Sequence, residues 1–150
     1  MATPKLKTVV TMRLDAACPS HARTDITVRD TGFTIDEPVE RGGTNQGPSP
    51  TETLMSALAG CTNVIAHKCA AKHGVDFQSF HVDVVAKFDQ RGVTLQEEID
   101  VPFDDVEVRI AVTTDASDAD LEKVKTDLPR FCPVSKVLRQ AGSSVTDIWT

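Results

Sequence analysis

The chain has 150 residues, with 16 Lys and Arg against 22 Asp and Glu, which gives a net charge of -6. A chain of this length can bury a substantial core, and we predict a single domain over residues 1–150. The net negative charge argues against a surface that follows nucleic-acid phosphates, so we expect no nucleic-acid partner.

The hydropathy of the chain predicts neither a secretory signal nor a membrane span. Residues 1–7 lack the apolar core that a signal peptide carries. The least polar stretch, residues 54–71, includes Ser, Thr, Asn, His and Lys, unlike a membrane-spanning segment. Four cysteines in such a chain indicate free or catalytic thiols rather than a disulfide framework. We therefore expect a cytoplasmic protein without a membrane partner.

The N-terminal third alternates apolar and polar residues, a pattern that is typical of strands. It predicts a meander of three strands at residues 7–16, 23–29 and 32–36. A loop rich in Gly and Pro follows at residues 41–50 and cannot sustain either regular element.

A long helix is predicted for residues 50–73. Ser49 suits the N-cap, Glu52 suits the positive end of the helix dipole, and Gly74 fits the position just past the end. Residues 53–67 carry no formal charge and place apolar side chains on nearly every face. A helix on a protein surface would not tolerate this pattern, so we predict that this helix is central.

The second half of the chain contains both strand and helix patterns. The predicted elements are strands at residues 77–88, 106–113 and 144–149, and helices at residues 118–128 and from Cys132 onward. Ser117 and Asp120 resemble a capping box that opens the first of these helices, and Pro129 is expected to end it. The predicted element order is βββ-α-ββ-αα-β, in an α+β fold.

Two of the four cysteines have contrasting environments, which points to redox chemistry. Cys132 precedes Pro133 at a helix start, where unpaired amides and the helix dipole favour a thiolate. Cys61, in the middle of the long helix, has no such help and would be inert unless a side chain from elsewhere reached it. Tertiary folding decides whether Cys132 or Cys18 reaches Cys61.

The remaining cysteines have simpler interpretations. Cys69 lies eight residues beyond Cys61 on the same helix, so their Cα atoms are about 12 Å apart and cannot be bridged. Cys18 and Cys69 are interpreted as small apolar or incidental thiols. Cys69 and His73 share a helix face, but two ligands do not make a zinc site, and no metal is predicted.

Four segments match the motifs of one protein family. They are Gly43-Thr44-Asn45, Ser49-Pro50-Thr51-Glu52-Thr53-Leu54, Ala59-Gly60-Cys61-Thr62 and Cys132-Pro133-Val134-Ser135-Lys136-Val137-Leu138. Over roughly residues 7–149 the chain resembles the OsmC/Ohr superfamily. The resemblance implies an intertwined homodimer, in which two long cysteine helices lie at the centre and antiparallel sheets wrap around them.

The resemblance also implies a chemistry, the thiol-dependent reduction of organic hydroperoxides. Cys61 would be the peroxidatic cysteine that becomes a sulfenic acid, and Cys132 would resolve it as a disulfide. An external dithiol of the lipoyl type, which a lipoylated protein can carry, would reduce the disulfide. No bound cofactor is expected.

An Arg and a Glu hold the reactive thiolate in the family. Arg41, twenty residues before Cys61, is the first candidate for the Arg, Arg23 is the second, and Glu52 is the candidate carboxylate. The family Glu precedes the cysteine by ten residues, where this chain has Thr51, so Glu52 is shifted by about 100° around a helix. This pattern is similar to a less characterised OsmC-like branch.

The expected substrate is an apolar organic hydroperoxide. Met55, Leu58 and Phe131 are the predicted apolar contacts, in a pocket at the dimer interface. The alternative function is that of a non-catalytic OsmC-like stress protein, which binds a small molecule or a partner while its cysteines remain reduced bystanders.

Overall fold

The computed structural model describes residues 7–150. Residues 1–6, part of the segment without a predicted signal core, lie outside the described residues. The element order is βββ-α-ββ-αα-β, which confirms the predicted α+β arrangement. The chain divides into two compact units, Met1–Thr53 and Leu54–Thr150. Within residues 7–150, no helix is both long and apolar enough to cross a membrane.

The first unit contains an antiparallel sheet in the order β1-β2-β3. Its strands are β1 (Asp15–Ala17), β2 (Thr24–Val28) and β3 (Thr31–Ile35). The first strand is much shorter than the predicted span, residues 7–16. Asp15 pairs with Thr27, and β2 ends one residue later, so most of residues 7–14 have no remaining length of β2 beside them. Alternating hydrophobicity alone could not reveal that limit.

A buried carboxylate organises the loop that leads to the long helix. Asp36 is fully buried and accepts hydrogen bonds from the backbone amides of Glu37, Thr44 and Gln46, and from the Thr44 hydroxyl group. These bonds lower the pKa of Asp36, and the bond from the Thr44 hydroxyl group has the largest effect. Gly43 lies so close to Glu37 that a Cβ atom there would come within 1.8 Å of the Glu37 carbonyl oxygen. Only glycine fits this tight turn.

The helix α1 (Pro50–Lys72) closely matches the prediction for residues 50–73. The Ser49 amide donates to the Glu52 carboxylate at 2.7 Å, and the Glu52 amide donates to the Ser49 hydroxyl at 3.4 Å. This reciprocal capping box explains why the helix begins where it does. Gly74, at φ 68°, takes the left-handed conformation that ends it.

The second unit is a three-stranded sheet with two helices in its crossover. Its elements are β4 (Ser79–Phe88), β5 (Phe103–Thr113), α2 (Asp118–Phe131), α3 (Pro133–Gln140) and β6 (Ser144–Trp149). β4 and β5 are antiparallel, whereas β5 and β6 are parallel. A parallel pair needs a long connection, which α2 and α3 supply.

Helix α2 does not end at residue 128 as predicted. It passes through Pro129 and continues to Phe131, where the Cys132 amide donates to the Leu128 carbonyl at 3.0 Å. Proline lacks the amide that would donate within the helix and its ring strains the preceding turn, yet the Cys132 amide still closes one more turn at Leu128. This extra turn determines the position of Cys132.

The core of the second unit forms where α1, α2 and α3 pack against the sheet. Its buried members include Leu58, Ala66, Val106, Val108, Ile110, Leu128, Cys132, Leu138 and Val145. Elsewhere on its surface, α1 exposes Leu54 by 40% and Val64 by 51%, and a Cβ atom on Gly60 would meet nothing within 4 Å. Within one chain, α1 therefore buries one face and leaves another uncharged face open.

Asp127 joins the end of α1 to α2. Its buried carboxylate accepts from the Lys72 ammonium group at 2.7 Å and pairs with the His73 ring at 2.9 Å and with Arg130 at 3.2 Å. The hydrogen bonds from Lys72 and His73 lower the pKa of Asp127 to about 2.

Candidate active site

Two thiols meet inside the second unit. The Sγ atoms of Cys61 and Cys132 are 3.2 Å apart, with the Cys132 thiol donating to the Cys61 sulfur. All four cysteines are free thiols, so this pair is a reduced dithiol in contact. A disulfide bond is about 2.05 Å long, and closing this gap requires a movement of only about 1 Å.

The two sulfurs come from elements that are far apart in sequence. Cys61 projects from the middle of α1, whereas Cys132 ends α2 and begins α3. The Cys132 amide donates to Leu128 in the preceding helix, and its carbonyl accepts from Lys136 in the following one, both at 3.0 Å. Both helices thus fix the backbone of Cys132, and its side chain faces α1.

The environment of Cys132 is the opposite of the predicted thiolate-stabilising cap. The residue does lie at a helix N-terminus, and the amides of Ser135 and Val134 favour its charged form. However, Cys132 is only 1% exposed, and burial raises the pKa of its thiol to about 11, with the contact to Cys61 acting in the same direction. Cys132 is therefore a neutral thiol at physiological pH.

Cys61 is the more accessible member of the pair. It is half-buried against the core, as is Ile65, one helical turn farther along α1. A molecule that approaches the pair from solvent therefore meets Cys61 before it can meet the buried Cys132.

The candidate thiolate-binding residues lie in the first unit and have local partners. The Arg41 guanidinium group pairs with Glu37 at 2.6 Å, and that of Arg23 pairs with Asp25 at 2.9 Å. Glu52 is the carboxylate of the capping box. The hydrogen bonds from Ser49 lower its pKa, and the charge of Arg41 contributes to the same shift.

The predicted substrate contacts have three different environments. Leu58 is fully buried in the core, so it cannot form the wall of an open pocket as expected. Met55 is partly buried against the same core. Phe131 is 53% exposed and lines a cleft in the second unit.

This cleft, which the sequence analysis did not identify, has a volume of about 470 Å³. It is lined by Ile65, Lys68, Cys69, Lys72 and Phe131. The four lining residues on α1 follow Cys61 by four, seven, eight and eleven residues. Such spacings place side chains on one helix face, so the sequence contained a signal for this part of the cleft. Phe131 immediately precedes Cys132, and Ile65 lies one helical turn after Cys61. The cleft is therefore lined by neighbours of both thiols.

No metal centre accompanies the dithiol in the part of the chain that the structure describes. Residues 7–150 contain no group of three or more His, Cys, Asp or Glu side chains that could hold a metal ion. His73, which shares a helix face with Cys69, pairs with Asp127.

The family of the chain follows from the match of a family model. The model of the OsmC-like proteins matches residues 43–146, a span that includes both thiols and the loop before α1. The chain belongs to the OsmC-like protein family. No curated protein matches this family member significantly.

Solved structures show the same fold at low sequence identity. An OsmC-like protein from Mycoplasma pneumoniae matches with a TM-score of 0.78 and 14% identity, over 94% of this chain and 96% of that chain. An organic hydroperoxide resistance protein OsmC from Legionella pneumophila gives 0.70 and 14%, over 96% and 99%. The organic hydroperoxide resistance protein OhrB of Bacillus subtilis gives 0.60 and 21%, over 94% and 98%.

Proposed function

We propose that this OsmC-like protein is a thiol peroxidase that reduces organic hydroperoxides through Cys61 and Cys132. The observation that carries the proposal is the 3.2 Å contact between a half-buried and a buried thiol. Membership of a family that has structural relatives named as organic hydroperoxide resistance proteins supports it.

In the first step, the Cys61 thiolate attacks the terminal oxygen of the hydroperoxide. An S–O bond forms and the O–O bond breaks, so Cys61 becomes a sulfenic acid and the departing alkoxide takes up a proton to become an alcohol. Sulfur loses two electrons and the peroxide gains them. The accessibility of Cys61 favours it over Cys132 as the attacking atom.

In the second step, Cys132 condenses with the sulfenic acid. The S–S bond forms, the S–O bond of Cys61 breaks, and hydroxide leaves with the Cys132 proton as water. A buried thiol with a raised pKa suits this role, because it keeps its proton until the sulfenic acid forms next to it. It also avoids direct oxidation by peroxide, since the thiolate is the reactive form.

In the third step, an external dithiol of the dihydrolipoyl type reduces the disulfide. Its two thiols lose two electrons and two protons to the protein sulfurs and become a cyclic disulfide, which returns Cys61 and Cys132 to the reduced state. A lipoylated protein is the proposed physiological donor. The four free thiols of the chain are in keeping with a reducing compartment such as the cytoplasm.

Arg41 is the proposed stabiliser of the Cys61 thiolate, and Glu52 is the proposed carboxylate that orients its guanidinium group. The supporting observation is that the charge of Arg41 lowers the pKa of Glu52, as expected for a pair of opposite charges. Arg23 is the second candidate and, like Arg41, it pairs with an acidic neighbour, in its case Asp25.

The active form is proposed to be a homodimer. The uncharged face of α1, with Leu54 and Val64 exposed, is an unusual surface for a monomer. The segment 7–14 exposes further apolar side chains by 67–89%, namely Val9, Val10, Met12 and Leu14. A second copy of the chain would cover such surfaces, since stable interfaces bury about 800 Å² on each partner.

The deciding experiment measures the consumption of cumene hydroperoxide with dihydrolipoamide as reductant. We expect turnover in the wild type and a Cys61–Cys132 disulfide in protein treated with peroxide alone, detected by peptide mass spectrometry. Cys61→Ser and Cys132→Ser should both lose turnover, whereas the matched variant Cys18→Ser should retain it, because Cys18 is an exposed thiol in the other unit.

The opposite outcome would favour the alternative function. If the wild type reduces no hydroperoxide with any dithiol, and stoichiometric peroxide leaves Cys61 unoxidised, the protein binds a ligand or partner without redox catalysis.

A further inference from the structure

The first turn of α3 begins at a thiol. Cys132 is its N-cap residue, and a neutral thiol is a weak acceptor for the amides that a helix leaves unpaired at this end. The amides of Val134 and Ser135 nevertheless favour the charged form of Cys132. A helix of eight residues is not stable by itself, so tertiary contacts have to fix these amides.

The side chain of Ser135 is held from within α3. Ser135 is 4% exposed, and its Oγ atom accepts a hydrogen bond from the Arg139 Nε atom at 3.1 Å. The two residues are four apart in sequence, and Cys132 lies on the same side of the helix, seven residues before Arg139. The Arg139 guanidinium group is thus bonded to a residue whose amide acts on the Cys132 sulfur.

Arg139 also approaches a carboxylate on the core side of β6. Asp147 pairs in register with Val108, which is fully buried, so both side chains point to the face that the helices cover. The Asp147 side chain is 15% exposed, and burial raises the pKa of its carboxyl group. The Arg139 Nη2 atom lies 3.9 Å from its Oδ2 atom, and this charge opposes the shift.

A carboxylate at this position of β6 is costly for packing alone. Val145, two residues earlier on the same face, is 5% exposed and belongs to the hydrophobic core. An apolar residue would therefore suit position 147, since a buried charge loses its hydration. The contact with Arg139 points to a role for Asp147 in orienting that side chain.

We propose that Asp147 and Arg139 are positioning residues for the resolving cysteine. Asp147, on the sheet, orients the Arg139 guanidinium group, Arg139 holds Ser135, and Ser135 keeps the first-turn amides of α3 directed at the Cys132 sulfur. This inference rests on the proposed function, because it is the disulfide chemistry of Cys132 that such an arrangement serves.

The amides act when charge develops on Cys132. In the resolving step, the Cys132 S–H bond breaks as the S–S bond forms, and hydroxide leaves the Cys61 sulfenic acid to form water with the released proton. In the reduction step, the S–S bond breaks, its electron pair returns to the Cys132 sulfur, and that sulfur takes up a proton. Donors that are already directed at the sulfur lower the barrier of both steps.

Thiolysis of the disulfide tests the proposal without any peroxide. Diamide oxidises the two thiols by taking up two electrons and two protons, and excess dithiothreitol then reduces the Cys61–Cys132 disulfide. The reagent's thiolate attacks Cys61, Cys132 leaves as a thiolate, and the reagent's second thiol releases Cys61 as a cyclic disulfide forms. Alkylation of aliquots and peptide mass spectrometry give the rate. We expect Arg139→Gln to be reduced at least about fivefold more slowly than the wild type, the scale of one hydrogen bond to a charged group.

The direction of the effect distinguishes positioning from a loss of packing. A variant that merely loosens α3 would expose the disulfide and be reduced faster. Arg109→Gln is the matched control, because it removes the same charge from an exposed position in β5, where Arg109 pairs with Glu107 at 2.7 Å. It should be reduced at the wild-type rate. Reduction of Arg139→Gln at the wild-type rate or faster, or failure of diamide to form the disulfide, would overturn the proposal.

Asp147→Asn tests the other end of this chain of contacts. It should slow thiolysis in the same direction, and the double variant with Arg139→Gln should be no slower than Arg139→Gln alone, because the two residues act in series. The double variant also removes the carboxylate that Arg139→Gln leaves without its cation, so it can be measured even if the single variant fails to fold. Additive effects would overturn the role of Asp147.

Single-turnover oxidation then connects these residues to the peroxidase cycle. One equivalent of cumene hydroperoxide is added, and dimedone traps the Cys61 sulfenic acid at successive times. Arg139→Gln should form the sulfenic acid at the wild-type rate and convert it to the disulfide at least about fivefold more slowly. An unchanged second step would overturn the role in resolution. If hydroperoxide does not oxidise wild-type Cys61, the proposed peroxidase function fails, while the thiolysis rates still decide whether Arg139 positions Cys132.

Discussion

The Cys132 thiol donates a hydrogen bond to the Cys61 sulfur across 3.2 Å, and one member of the pair is buried while the other is half-buried. Burial raises the pKa of the Cys132 thiol to about 11, so Cys132 keeps its proton in the reduced protein. The two sulfurs are chemically different although they are in contact, and a two-step peroxidase cycle requires such a difference.

Cys132 should be the slowest cysteine to react with iodoacetamide in the folded, reduced protein. It is 1% exposed and its pKa is raised to about 11, so we expect its alkylation at pH 8 to be at least about tenfold slower than that of Cys18. Quantitative peptide mass spectrometry measures both rates in one sample. Equal rates for the two cysteines would contradict the burial of Cys132.

The same shift has a consequence for stability in alkaline solution. The thiol has an ordinary pKa of 9.0, which applies to the unfolded chain, and a higher pKa of about 11 in the folded protein. Its contribution to the free energy of unfolding is therefore complete below pH 9 and is lost as the pH rises from 9 to 11. Cys132→Ser should weaken this part of the pH dependence, as measured by urea unfolding.

Arg41→Ala should lower kcat/KM for cumene hydroperoxide by at least about tenfold, because loss of the guanidinium group leaves the Cys61 thiolate without its proposed counter-charge. Arg41→Lys should recover only part of the activity. Arg23→Ala is the comparison, since both arginines pair with an acidic neighbour in the first unit. A larger loss in Arg23→Ala would transfer the role to that residue.

The substitution Glu52→Gln distinguishes a catalytic role of the Glu52 carboxylate from its role in capping α1. Glutamine can still accept the hydrogen bond from the Ser49 amide, so Tm should fall by no more than a few degrees, whereas the charge beside Arg41 is lost. We expect kcat/KM to fall several-fold. Ser49→Ala should instead reduce the stability by about 1 kcal/mol, the usual value of an N-cap. Unchanged turnover in Glu52→Gln would limit this residue to capping.

Val64→Glu should convert the proposed dimer to a monomer. The substitution introduces a charge into the exposed, uncharged face of α1, where a partner would have to desolvate it. Light scattering coupled to gel filtration measures the mass. Val93→Glu is the control, because Val93 is 64% exposed in the loop between β4 and β5. A wild-type protein that is monomeric at micromolar concentration would rule out the dimer.

Asp127→Asn should lower Tm by several degrees at pH 7 and should reduce the acid sensitivity of the protein. The pKa of Asp127 is about 2 in the folded protein and 3.8 without its partners, so its stabilising effect is present above pH 3.8 and is lost as the pH falls toward 2. Thermal unfolding between pH 2 and 7 measures this. Glu122→Gln, on the same helix with a partner at the surface, should show little of either effect.

Predictions that rest on interactions between neighbouring residues in sequence were more accurate than those that depend on tertiary packing. Ser49 and Gly74 act on their own helix ends, so the bounds of α1 could be read from local sequence. Pro129 is unfavourable inside a helix and therefore predicts a helix end, but one further turn of α2 forms beyond it. Local signals indicate a preference, and packing decides whether the preference is followed.

The site depended on information that is not local. Cys61 and Cys132 are 71 residues apart in sequence, and Cys132 lies within the crossover that connects β5 to β6. As predicted, the amides at the start of α3 favour the thiolate form of Cys132. Burial against the core has the larger effect, so the pKa of Cys132 is raised. The position of Lys68 beside an apolar cleft likewise depends on Phe131, which comes from another helix.

The parallel pairing of β5 and β6 has a consequence for the order of folding. Because parallel strands cannot be joined by a hairpin, we expect α2 and α3 to form and pack before β6 completes the sheet. Cys132 lies at the junction of these two helices, so its sulfur meets Cys61 only when the most non-local part of the fold is in place. We expect a nascent chain that has not reached this stage to keep the two thiols apart. Formation of the disulfide is therefore also a test of completed folding.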